Sequence, residues 1–189
     1  SLIGAVAAQT CVFTGPTDPT AESPNTNGTT FLNNGANAPQ EYWRQQILVP
    51  SQFFATTPML INDFSVPSKR GYQVVKFGQL TIRMGHTTVG TLSSVFANNV
   101  TSPLQDVLVA NDHVLHFGVG QVWNPIGMQQ SFQFSPGLGD LLIDISYYGI
   151  ETLEDFIFTD FVTGFGGGIS TQAGSSMSGP PLNGPISNL

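Results

Sequence analysis

No stretch of this chain carries a helical pattern longer than two turns. Its apolar residues come in short β-rich runs cut off by Pro, Gly and Asn. Residues 44–49 and 59–66 are such runs, bounded by Pro50, Pro58 and Pro67. Residues 72–84 form the longest, with Val74, Lys76 and Gly78 alternating against Val75, Phe77 and Gln79 before Leu80, Ile82 and Met84. Period-two alternation of this kind places successive side chains on opposite faces of a strand. Further short strands are expected at 107–110, 114–119, 121–123 and 130–135, then at 140–148 after a Pro136-Gly137 turn, and last at 156–162. Residues 92–98 suit one or two helical turns with Leu92, Val95 and Phe96 turned inward. Many short strands at regular spacing predict an all-β antiparallel sandwich, jelly-roll-like, and the 14 Phe suit its inner faces.

Four segments divide the chain. Residues 1–14 are an apolar arm without a charge, and 15–40 a linker rich in Pro, Thr, Asn and Gly. Residues 41–165 hold the strands, and 166–189 read as an extended Gly/Ser/Pro tail. Charged residues are 9% of the chain, against roughly 25% in ordinary domains. Five Lys+Arg face 12 Asp+Glu, a net charge of −7. That balance argues against nucleic acid, whose phosphates need clustered Lys and Arg. No stretch reaches the ~18 apolar residues of a membrane-spanning helix. A surface of Ser, Thr, Asn, Gln and Gly fits an extracellular or cell-surface location. The single cysteine, Cys11, allows no disulfide within the chain and reads as a small buried side chain. Asn27 and Asn99 each open an N-glycosylation sequon.

Several phrases, in order, resemble the secreted β-sandwich domains of bacterial PEP-CTERM-type exported proteins. They are YWRQQILVPSQF at 42–53, LSSVFANN at 92–99 and FQFSPGLGDLLIDI at 132–145. The resemblance implies fold and export and carries no activity. Ser135 and Asp140 depart from its pattern, and neither a Pro-Glu-Pro sorting motif nor a basic-ended apolar helix occurs within these 189 residues. The arm has no counterpart in it.

No catalytic signature survives a pass along the chain, so enzymatic activity is not expected. There is no G-x-S-x-G elbow and no phosphate-binding loop. His113 and His116 fall on opposite faces of a strand and do not chelate one metal together. Asp140, Asp144, Glu151 and Asp155 offer oxygen ligands of the kind Ca²⁺ takes, although a bare acidic cluster usually means a solvated face. Trp43, Trp123, Tyr42, Tyr147 and Tyr148 offer aromatic faces on which a sugar ring would stack. The expectation is a self-assembling structural protein that lends its N-terminal strand to a neighbouring copy. Leu2, Ile3, Val6, Ala8, Val12 and Phe13 would be the anchors. The alternative is a secreted module that binds polysaccharide.

Overall fold

The computed structural model describes residues 42–67, 73–117, 123–154, 170–176, 182 and 186–188. The expected arm at 1–14, the linker at 15–40 and the strand at 156–162 lie outside them, as do Leu2, Ile3, Val6, Ala8, Val12, Phe13, Asn27 and Asp155. Ten strands run β1 (Tyr42–Val49), β2 (Met59–Ile61), β3 (Ser65–Pro67), β4 (Gln73–Thr87), β5 (Gln105–Phe117), β6 (Trp123–Pro125), β7 (Phe132–Phe134), β8 (Asp140–Glu154), β9 (Ser170–Ser176) and β10 (Ile186–Asn188). No α-helix occurs among the described residues; three short 3₁₀ turns complete the set.

One six-stranded sheet, in the order β10-β9-β1-β8-β4-β5, is the framework, and every pairing in it is antiparallel. The all-β class therefore holds. In place of a second continuous sheet, two separate two-stranded ribbons, β2–β7 and β3–β6, are present. Their residues share one core with the sheet. Ile47, Ile82, Met84, Leu108, Ile143 and Ile145 from the sheet cluster with Met59, Ile126, Phe132 and Phe134. This is the face that period-two alternation selects on β1, β4 and β8. Burying each such side chain stabilises the fold by about 1.5–3 kcal/mol.

Four differences from the sequence expectation have physical causes. The 59–66 run is two strands because Asn62 and Asp63 interrupt it. The Asp63 carboxylate accepts the backbone N–H of Phe64 (2.9 Å), Gly127 (3.0 Å) and Met128 (3.3 Å), which ties the two ribbons together. Conversely, the expected break after Ala110 is absent and β5 runs on to Phe117. Asp112 takes a left-handed φ of 53°, which Asp tolerates better than most residues, so the strand kinks yet keeps its register with β4, from Phe77↔His113 to Gln79↔Asn111. Val95 is exposed and extended just ahead of the turn at Phe96–Asn99, while Leu92 and Phe96 are buried. Finally, the tail is not irregular throughout. Residues 170–176 pair with β1 from Tyr42↔Ser176 to Leu48↔Ser170, and β10 pairs with β9. Backbone hydrogen bonds hold such strands whatever their side chains, so a composition of Ser, Gly and Thr gives no warning.

Candidate functional site

The sheet face opposite the core carries polar side chains in register. Tyr42, Tyr148 and Gln79 lie abreast on β1, β8 and β4; next come Arg44, Ser146 and Thr81; then Gln46, Asp144 and Arg83. The last row is roofed by residues 92–100. There Leu92 packs with Leu48 and Leu142, and Phe96 places its ring under the Arg44 guanidinium, 4.8 Å from Cζ to the ring centroid. The first two rows are partly open: Tyr42, Tyr148, Arg44, Ser146 and Thr81 are half-buried and Gln79 is exposed.

Asp144 is the hub. It is fully buried, yet its carboxylate accepts from Arg44 Nη2 (2.6 Å) and Nε (3.2 Å), from Arg83 Nη2 (3.0 Å) and from Gln46 Nε2 (2.5 Å). A buried carboxylate is tolerated only with this degree of pairing. The network then runs outward through Asn99, whose Nδ2 donates to Gln46 Oε1 (2.9 Å) and to the Ser93 carbonyl (3.0 Å). Asn99 Oδ1 accepts from Ser93 N–H (2.6 Å), and the Thr87 hydroxyl donates to the Asn99 carbonyl (2.7 Å). Arg44 and Arg83 bring two positive charges to one negative one. Among the described residues neither Nη1 group has a hydrogen-bond acceptor, and Arg83 Nε is buried with no partner.

Burial reassigns several residues singled out by sequence. Asn99, the second sequon, is fully buried with both Nδ2 hydrogens used, so the folded state has no room for a glycan there. Asp144 faces guanidinium groups rather than a cation site. Asp140 accepts the Ser51 N–H at 2.8 Å and lies four residues along the same strand. Glu151 is exposed near Lys76, whose ammonium pairs with Asp112 at 2.7 Å; that hydrogen bond and charge hold the Lys76 pKa above its usual value. Asp140, Asp144 and Glu151 thus do not converge, and no group of three metal-ligating side chains gathers among the described residues. Tyr147 and Trp43 lie on the core side, stacked with ring centroids 6.3 Å apart, whereas Tyr42 and Tyr148 meet at 4.4 Å on the open face.

Sequence reading missed Arg44, Arg83 and Gln46. The available signal was scarcity: the chain has only three arginines, and two of them interrupt strand runs. His86 sits apart, at the edge of the core. Its ring lies nearly parallel to Phe134 (5.2 Å, 12°) and its Nε2 accepts the Ser135 N–H at 2.9 Å. Desolvation lowers its pKa below 6.5, which keeps the acceptor nitrogen unprotonated.

Comparison with protein-family models, with curated proteins and with solved structures yields no significant match to this chain. No helix among the described residues is long and apolar enough to cross a membrane.

Proposed function

We propose that this is an extracellular structural protein whose copies join by strand addition, with residues 1–13 of one copy laid along the sheet edge of the next. One observation carries the reading. The outermost described strands of the sheet are β10, of 3 residues, and β5, of 13 residues. Beyond β1 the chain's own β9 and β10 are already paired. At the other side, β5 is the outermost described strand. A loop reaches only its first part, where Gln129 and Gln130 N–H donate to the Val107 carbonyl and Gln129 Oε1 accepts from Val109 N–H. Beyond that, no described strand lies beside residues 110–117 on the side away from β4. Val114 is exposed there, at 38%. A strand at the edge of a sheet accepts an extended peptide through backbone hydrogen bonds, with alternate side chains docking in pockets. The left-handed Asp112 and its Lys76 ion pair divide the edge. Donation from copy to copy is heterologous and yields a filament when the rotation does not close. The resemblance to exported bacterial domains supports the extracellular setting.

The experiment removes residues 1–15 and follows size by small-angle scattering and electron microscopy. Wild type should form multimers or fibres, and the truncated chain a folded monomer. Assemblies that survive the deletion would overturn the reading, and so would a wild type that stays monomeric.

A second reading, a polysaccharide-binding module, is favoured by the Tyr42–Tyr148 pair on the open half of the sheet face. Its ring surfaces stand beside hydroxyl, amide and guanidinium groups, the mixture that holds a sugar in place.

A further inference from the structure

We propose that the open half of this sheet face binds an acidic glycan, one sugar ring lying on Tyr42 and Tyr148 and its carboxylate or sulfate meeting Arg44 and Arg83. The proposal rests on the polysaccharide-binding reading and is independent of strand addition.

The argument begins with charge. In a chain of net charge −7 with five Lys+Arg, two of the cations converge on a single carboxylate. Lys76 is paired with Asp112, and Lys69 and Arg70 lie outside the described residues. Within the hydrogen-bonded Arg44–Asp144–Arg83 trio, two positive charges meet one negative charge. Asp106, opposite Arg83 across the β4–β5 pairing, is exposed and forms no ion pair with it. Structural neutralisation of Asp144 needs one arginine, and Arg44 already supplies two bonds to it.

Geometry continues the argument. Arg83 spends one Nη2 bond on Asp144 and keeps 33% of its side chain exposed; Arg44 keeps 15%. Phe96 and Asp144 hold Arg44 from two sides, so its fork is fixed before any ligand arrives. A planar fork with free N–H groups is the usual partner of carboxylate and sulfate. Residues two apart on a strand are about 6.6 Å apart. That distance, from Tyr42 to Arg44, is roughly the reach from the centre of a pyranose ring to an acidic substituent. Ser146, Thr81 and Gln79 fill the space between with donors and acceptors for hydroxyl groups. The Phe96–Asn99 roof closes one end, which leaves the binding surface open along the strands toward Tyr42 and Tyr148.

Affinity electrophoresis of the full chain tests this in four gels, containing galactan, polygalacturonate, dextran or dextran sulfate. Retardation by polygalacturonate identifies carboxylate as the recognised group, and retardation by dextran sulfate identifies sulfate. The expected result is retardation in at least one acidic gel and in neither neutral gel. Tyr148→Ala should weaken it by about tenfold, and so should Thr81→Glu, whose added carboxylate would occupy the arginines. Gln79→Glu, at an exposed position, is the second charge variant should Thr81→Glu not fold. Raising the salt through about 0.5 M should weaken retardation several-fold. Equal retardation in neutral and acidic gels, lost in Tyr148→Ala, would overturn acid selectivity and leave sugar binding standing. Acidic retardation unchanged by the charge variants would also overturn the proposal. No retardation in any gel would overturn both readings.

Discussion

Replacing Asp144 by Asn is the sharpest test of the polar network. The substitution keeps the volume and one acceptor oxygen, and it removes the carboxylate that Arg44 and Arg83 share. Where the other oxygen stood, an NH₂ group would face donors: Arg44 Nη2 and Gln46 Nε2 both now give to Oδ2, at 2.6 and 2.5 Å. Breaking one side of a buried ion pair costs about 3–5 kcal/mol. Both arginines keep some access to water, at 15% and 33% of their side chains, which places the expected loss near the lower end, about 3 kcal/mol. For a domain of this size that lowers the Tm by roughly 6–12 °C. Urea unfolding followed by circular dichroism and tyrosine fluorescence would read it. The double variant Arg83→Gln/Asp144→Asn should lose at least about 1 kcal/mol less than the sum of its parts, because the two side chains act on each other. A loss below about 1 kcal/mol for Asp144→Asn, with additive behaviour in the cycle, would refute the account of Asp144 as the hub.

Three other outcomes are expected. His86 has a depressed folded-state pKa, so the unfolded chain binds more protons just below pH 6.5; its contribution is complete above that value and is lost as pH falls through the folded pKa. Stability measured from about pH 7.5 to 5 should therefore fall more steeply in wild type than in His86→Gln, and equal slopes would dismiss the role of the Ser135 bond. Gly139→Ala should destabilise by about 3 kcal/mol or more, since φ is +124° and a Cβ would overlap the Thr87 carbonyl oxygen; Gly127→Ala, at φ +79° with open space around it, should cost only about 1–2 kcal/mol in thermal melts. Gln45 is fully buried on the core side with neither amide atom hydrogen-bonded, so Gln45→Met should raise stability by about 1 kcal/mol; a loss of that size in urea titration would show a partner for the amide.

The framework was legible in the sequence because β4 buries one face over most of its length, and burial of one face writes a period of two; residues 45–49 and 141–145 are buried on both faces and read as short apolar-rich runs instead. Ile82 and Met84 against Arg83 is a clear instance. β9 was not legible, since a strand held through backbone bonds leaves Ser170–Ser176 free to lack any apolar pattern. The continuity of β5 was hidden for a different reason: Asn111-Asp112 reads as a turn, and only pairing with β4 on both sides of it decides that the strand continues. The candidate site was half visible. Tyr42 and Tyr148 stand out as aromatics, but their meeting requires the antiparallel register that sets Tyr42 opposite Tyr148. The pairing of Arg44 with Asp144, 100 residues apart, depends on that same register.

The left-handed kink at Asp112 does not stand alone. Gly78 and Gly149, the latter at φ +66°, sit at the same level of β4 and β8, and a Cβ on Gly78 would come within 3.2 Å of the Tyr148 carbonyl oxygen. At that level the inward-facing side chains change from even to odd numbers, from Leu80 to Phe77 on β4 and from Leu108 to Leu115 on β5. The three strands are therefore phase-locked. A single-residue deletion at any one of these positions would turn the far half of that strand inside out. Only the matched loss of one residue from all three would restore a continuous sheet, so drift in length at this level is open to the strands together and closed to each of them alone.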